Sequence, residues 1–190
     1  MRNSKYIRLS LLAAAMFTGV FSIPVYAEKM SNQAAESPAR SGSQNSAFSS
    51  KEQNMLRTLA QGNMAEIASA ELAQTKSSNQ DVLIFAKRMI DDHSDALKEI
   101  AALAKDKGIE LPKATDAKHA EALKKMNTLS KAEFDRQYLA KVGVDDHGKM
   151  LKLLKDIESN AKDSDFKMLA KKLETGVLAH LDMAKSMHKK

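Results

Sequence analysis

Residues 82–103 read VLIFAKRMIDDHSDALKEIAAL, and the spacing of their apolar side chains decides the fold. Val82, Ala86, Met89, His93, Ala96, Ile100 and Leu103 recur at alternating steps of four and three. A helix of about 3.6 residues per turn returns a side chain to the same side at those steps, so this is a seam buried against other helices. A strand would need alternation at every second residue, and Lys87, Arg88, Asp91 and Asp92 break that pattern. One seam position is a histidine, where a helical core ordinarily carries Leu, Ile, Val or Ala.

Working outward, the same period predicts three more long helices. Helix 1 is expected over 50–76, with Ser50 and Gln53 at capping-box spacing and Leu56, Leu59, Asn63, Glu66, Ile67, Ala70 and Ala73 inward. Helix 2 is expected over 79–107, from a Ser78 cap to a stop at Gly108 and Pro112. Ser130 and Glu133 form a second capping box that opens helix 3, over 131–160, with Phe134, Tyr138, Val144, His147, Leu151, Leu154 and Ile157 inward. Helix 4 is expected over 164–188, with Phe166, Leu169, Leu173, Val177, His180, Ala184 and Met187 inward.

Connection lengths bear on topology. Helices 1 and 2 join tightly, as do 3 and 4, so each pair is expected to be an antiparallel hairpin. The link 108–130, with a short helix near 115–127, can reach roughly 50 Å, more than the roughly 40 Å height of helices this long. Short–long–short is the connection pattern of ferritin-like folds. The expected class is therefore all-α: a ferritin-like four-helix bundle whose long helix 2–helix 3 connection carries a short extra helix. An up-down bundle with a loose link is the rival topology.

The segment before the bundle divides in two. Arg2, Lys5 and Arg8 precede an apolar run from Leu9 to Val20, and Val25-Tyr26-Ala27 suits cleavage before Glu28, so 1–27 reads as a signal peptide. Residues 28–49, rich in Ser, Ala, Asn, Gln and Gly, read as a disordered tether, and 50–190 as the bundle domain. A periplasmic or secreted location is expected, with no transmembrane anchor after cleavage. The chain has no Cys, so disulfides, zinc ribbons and thiol nucleophiles are excluded. The formal charge of +6 includes the three basic residues of the signal, and the remaining Lys residues are interspersed with Asp and Glu. That is a solvated surface and not a nucleic-acid footprint.

The polar residues of the seams fall at one height. His93 lies about 15 residues beyond the first tight turn and His147 about 15 before the second, so each is roughly 22 Å from an end. Glu66 and His180 fall within roughly 8 Å of that level. Buried imidazoles and carboxylates without partners cost about 1–3 kcal/mol each, so such a layer should pair, hold water or bind an ion. Asp92 and Asp146 lie beside His93 and His147, turned about 100° away on the helix, and could reach a histidine of a neighbouring helix. Met89, Met150 and Met183 share a helix face with His93, His147 and His180, a set of soft ligands suited to Cu(I), although Met also fills gaps in ordinary cores. Gly143 and Gly176 precede His147 and His180 by four, and imply either close helix packing or space above the rings.

These residues carry a resemblance. Met64-Ala65-Glu66-Ile67, Met89-Ile90-Asp91-Asp92-His93, Gly108-Ile109-Glu110-Leu111-Pro112, Phe134-Asp135-Arg136-Gln137-Tyr138, Asp146-His147 and His180-Leu181, in this order, resemble the bacterial family of domain of unknown function 4142 over about 50–187. The resemblance implies a ferritin-like, exported bundle and no established activity or cofactor. It also carries an outer-membrane label, which no alternating ten-residue strands support. The family's Pro before the helix-4 histidine is replaced here by Leu173-Glu174-Thr175-Gly176.

A ferritin-like di-iron centre needs Glu-x-x-His pairs facing inward, but Ile90, Val144 and Val177 stand three before the seam histidines. Asp116 and His119 have a related spacing, but on the connecting helix, where they read as surface, and His188 reads as tail. No Gly-x-Ser-x-Gly elbow, phosphate loop or His-Glu-x-x-His supports an enzyme. Two readings follow. The first is a non-catalytic envelope or stress-related protein whose polar layer is structural. The second is a periplasmic protein that binds or buffers Cu, Zn or Fe through Glu66, His93, His147 and His180, with Met89, Met150 or Met183 as soft ligands and Asp92 and Asp146 behind them.

Overall fold

The computed structural model describes residues 48–189. These residues form helices and no strand: α1 (Ser50–Lys76), α2 (Gln80–Asp106), α3 (Ala117–Asn127), α4 (Lys131–Gln137), a π-helical stretch (Tyr138–Asp146), α5 (His147–Asn160) and α6 (Ser164–His188). Among the described residues no helix is long and apolar enough to cross a membrane. The expected signal peptide and all but the last two residues of the expected tether lie outside the described residues. Of those two, Phe48 packs its ring against Phe166, with centroids 5.2 Å apart.

The helix ends follow the predicted chemistry with one-residue corrections. Ser49 caps α1, and Glu52 rather than Gln53 completes the capping box. Asn79 rather than Ser78 caps α2, its side-chain oxygen accepting from the Asp81 and Val82 N–H groups. Ser130 accepts from the Glu133 N–H, but the Glu133 carboxylate turns to Arg136 and Gln137, so only half of that box forms. At the end of α2, Gly108 takes φ 66°, the left-handed conformation that costs glycine least. The Ile109 N–H then reaches the Ala104 carbonyl (2.8 Å) and the Gly108 N–H that of Lys105 (3.2 Å), the Schellman pattern.

Helix 3 departs most from expectation. A single α-helix over 131–160 is interrupted by the nine-residue π-helical stretch Tyr138–Asp146. The wider turn shifts the inward face, so that Leu139, Val142 and Gly143 are buried while Val144 is only partly so. Gly143 is needed for packing: a Cβ placed there would stand 2.6 Å from the Ala184 Cβ of α6.

α1 packs along α2 and α5 along α6, while α2 also meets α6 and α1 meets α5; α3 lies against α1. The apolar core is in two parts. One is built on Leu56, Leu59, Ile100, Leu154, Ile157 and Phe166. The other is built on Ala70, Val82, Phe85, Met89, Phe134 and Tyr138. On every long helix the buried polar residues Asn63, Glu66, His93, His147 and His180 fall between these two sets in sequence.

A polar junction at one end ties three helix termini together. One Glu52 oxygen accepts from the Ser49 hydroxyl (2.6 Å) and N–H (2.9 Å), and the other from the Lys162 (2.7 Å) and Asp163 (3.1 Å) N–H groups that precede α6. Lys107, just past α2, reaches Asp163 (2.9 Å) and Asp165 (2.7 Å). Burial works to raise the Glu52 carboxyl, which is 4% exposed, but these hydrogen bonds outweigh it. They hold it at about 2 against an ordinary 4.5. A depressed carboxylate contributes stability that is complete above the unfolded value and is lost as the pH falls through the folded one. Glu52→Gln should therefore cost about 1.5–3 kcal/mol at neutral pH. In urea titrations the gap to the parent should close as the pH is lowered from 4.5 toward 2. A gap that stays constant over that window would assign the effect to shape and not to charge.

Candidate metal centre

Three imidazoles from α2, the start of α5 and α6 meet between the two apolar clusters. His93, His147 and His180 are 4%, 1% and 2% exposed. Their ring centroids form a nearly equilateral triangle: 5.5 Å for His93–His147, 5.2 Å for His93–His180 and 5.4 Å for His147–His180. One ring nitrogen from each lies within 4.8 Å of the others.

The hydrogen bonds of these rings decide what the triangle presents. Asn63 donates its Nδ2–H to the Leu59 carbonyl (2.8 Å), which leaves Oδ1 to accept from His93 Nδ1–H (2.9 Å). His147 Nδ1–H donates to the Val142 carbonyl (2.9 Å). The His147 backbone N–H reaches the Val144 carbonyl where the π-helical stretch ends. His180 Nε2–H donates to Asp92 Oδ2 (2.7 Å), across from α6 to α2. In a neutral imidazole one nitrogen carries the proton and the other a lone pair. Each ring thus spends its proton outward on an oxygen, and the lone pairs of His93 Nε2, His147 Nε2 and His180 Nδ1 are left to face one another.

His147 Nε2 and His180 Nδ1 are 3.4 Å apart. With both outer nitrogens protonated, this is a contact of two lone pairs, which repels unless a cation lies near both. Among the described residues no hydrogen-bond partner reaches His93 Nε2. A proton is a poor candidate for that cation. Burial, reinforced by the two neighbouring imidazoles, pushes His93 down to about 3. Burial also pushes His147 down to about 4, with its Val142 bond opposing, and lowers His180, with Asp92 opposing.

Glu66 stands apart from this triangle. Its Oε1 is 3.8 Å from His147 Nδ1, on the outer side of the ring, and that nitrogen already donates to Val142. Burial pushes the Glu66 carboxyl well above its ordinary range, Asp146 adds to the rise and Lys149 opposes it. Neither its Oε2 nor the buried Tyr138 hydroxyl has a hydrogen-bond partner among the described residues.

The remaining candidates separate clearly. Asp92 holds His180, whereas Asp146 pairs with Lys149 (2.6 Å) and makes no hydrogen bond to a histidine. Met89 lies in the apolar cluster, and the Met183 sulfur accepts from Arg88 (3.4 Å). Met150 is the one of the three that lines a cavity shared with His93 and His180. His119 pairs with Asp116 on the connecting helix (2.6 Å). Two orienting groups escaped the sequence reading. Asn63 was visible as a polar residue in the helix 1 seam, but nothing in the sequence marks the Val142 carbonyl.

Helices around a buried three-imidazole cluster define the class of protein. The chain belongs to the family described as domain of unknown function (DUF4142), whose model matches residues 37–187. Its fold is similar to that in the crystal structure of a DUF305 fragment from Deinococcus radiodurans. The TM-score is 0.66 at 13% sequence identity, over 75% of this chain and 97% of that chain. No curated protein matches the chain.

Proposed function

We propose that this is an exported protein that binds one divalent first-row transition ion, of the Zn(II) or Cu(II) kind, through His93, His147 and His180. The observation that carries the reading is the convergence of three lone pairs whose rings are each fixed by an oxygen on the far side. That outer hydrogen bond is the partner metal-bound imidazoles ordinarily have, and it sets both tautomer and ring orientation. Neutral imidazole suits Zn, Cu, Fe and Ni. Two nitrogens bound at about 2.0–2.1 Å in a tetrahedral site are roughly 3.4 Å apart, which the His147–His180 spacing matches.

Iron of the ferritin kind is disfavoured, because among the described residues no carboxylate joins the triangle. A Met-rich Cu(I) site is disfavoured by the engagement of Met89 and Met183 elsewhere. The ferritin-like four-helix bundle fits the junction of helix ends: the start of α1, the end of α2 and the start of α6 meet, so α2 and α5 run the same way and the long link crosses between ends. Export rests on the signal-like pattern of 1–27.

Elemental analysis of the mature protein, loaded with Zn(II) and desalted, tests the reading. One equivalent should remain on the parent and be lost from the His93→Ala/His147→Ala variant. Retention well below one equivalent on the folded parent, or equal retention by both, would leave the imidazole layer a structural one.

A further inference from the structure

Three protein ligands leave a tetrahedral ion one position short, and sites that keep such a position open are those that exchange ligands. Among the described residues no fourth protein donor converges here. The cluster comprises three residues only among those described, Glu66 approaches the wrong side of His147, and Asp92 is taken by His180. What adjoins the triangle instead is a cavity of about 200 Å3 that includes His93 and His180 in its lining. Its lining is mixed: Leu59, Leu154, Leu173 and Val177 form an apolar part beside Met150 and Gly176, and the carboxylates Asp92, Asp95 and Glu99 line it too, each paired with a cation, Arg88, Lys98 and Lys172 in turn.

The two glycines that precede the histidines prove to do different things. A Cβ at Gly143 would collide with Ala184, whereas one at Gly176 would meet nothing within 4 Å. Gly176 therefore leaves space beside the site that no close helix contact requires. Charge indicates what could occupy it. Three neutral imidazoles put no charge in contact with a divalent ion, and the Asp92 carboxylate stands behind His180, so an anion at contact would offset a charge held in a buried setting.

We infer that an ion held by His93, His147 and His180 keeps one exchangeable position open to the cavity at Gly176, and that this position takes a small monodentate anion on a short apolar body, such as an aliphatic carboxylate. The anion displaces a bound water, with no change in oxidation state. This rests on the metal reading above and assigns its ligand.

The test uses the full mature protein loaded with Co(II), whose visible bands report coordination, titrated with sodium azide and then with sodium butyrate. Both anions should change the spectrum saturably. Gly176→Leu, which extends into the cavity and replaces no ligand, should keep one equivalent of cobalt and weaken the butyrate response at least tenfold. Leu173→Phe, on the same wall, should do the same and serves if the first variant does not fold. Failure of the parent to hold cobalt would strike the metal reading itself. Cobalt held at one equivalent with no response to either anion would overturn the open position alone. A response that appears only in Met150→Ala would also overturn it, by placing the thioether there. An undiminished butyrate response in both blocking variants would overturn the assignment to this cavity.

Discussion

Zn(II) should raise the thermal midpoint of the protein by about 8–16 °C when the free ion stands about 1,000-fold above its dissociation constant, an added stability of about 4 kcal/mol. The gain comes from linkage: the three donors converge only in the folded chain, since α2, α5 and α6 supply one each. An ion that binds the folded state alone adds its occupancy to the unfolding free energy. His93→Ala should abolish most of the shift, because it deletes the one buried side-chain nitrogen that has no hydrogen-bond partner among the described residues. Asp92→Asn should retain part of it. The amide oxygen can still accept from His180 Nε2, but without the charge that makes the ring a stronger donor, and loss of such a partner typically costs 10–100-fold in affinity. The ordering parent, Asp92→Asn, His93→Ala in differential scanning calorimetry is the expected result. Equal shifts in parent and His93→Ala would place the bound zinc elsewhere on the surface.

The sequence made the helices legible because the four-and-three spacing is a direct projection of helix geometry. It made the histidine layer legible because counting residues from a tight turn measures height in a helical rod. His93, His147 and His180 could be brought to one level by that count alone. The same count could not resolve direction around the axis. Glu66 shares the level but faces the outer nitrogen of His147, and Met89 shares a face with His93 but points into apolar packing. Helix 3 read as unbroken because a π-helical turn leaves no mark in an apolar period; its effect is visible only in the burial of Leu139, Val142 and Gly143 in place of Val144. The junction of Glu52, Lys107 and Asp163 was hidden for another reason. Its members lie far apart in the chain, and each sits at a helix end where charged residues are common.

That junction makes Lys107→Met a severe change, costing about 3–5 kcal/mol. The Lys107 ammonium is 6% exposed and Asp163 4%, so the pair is buried, while Asp165 is 43% exposed. Burial alone would push the lysine down, but Asp165 and Asp163 together hold it well above its ordinary value. Removing the ammonium strands the Asp163 carboxylate where water cannot reach it easily. Asp163 cannot turn away, because its Oδ1 caps α6 at the Phe166 N–H (2.9 Å) and its own N–H is held by Glu52 (3.1 Å). Lys107→Met/Asp163→Asn should recover part of the loss, since Asn can still cap the helix and leaves no buried charge. Denaturant unfolding of the parent, both single variants and the double variant closes the cycle and isolates the coupling between the two charges. A cost below about 1 kcal/mol for Lys107→Met would show that solvent screens the pair as it does surface ion pairs.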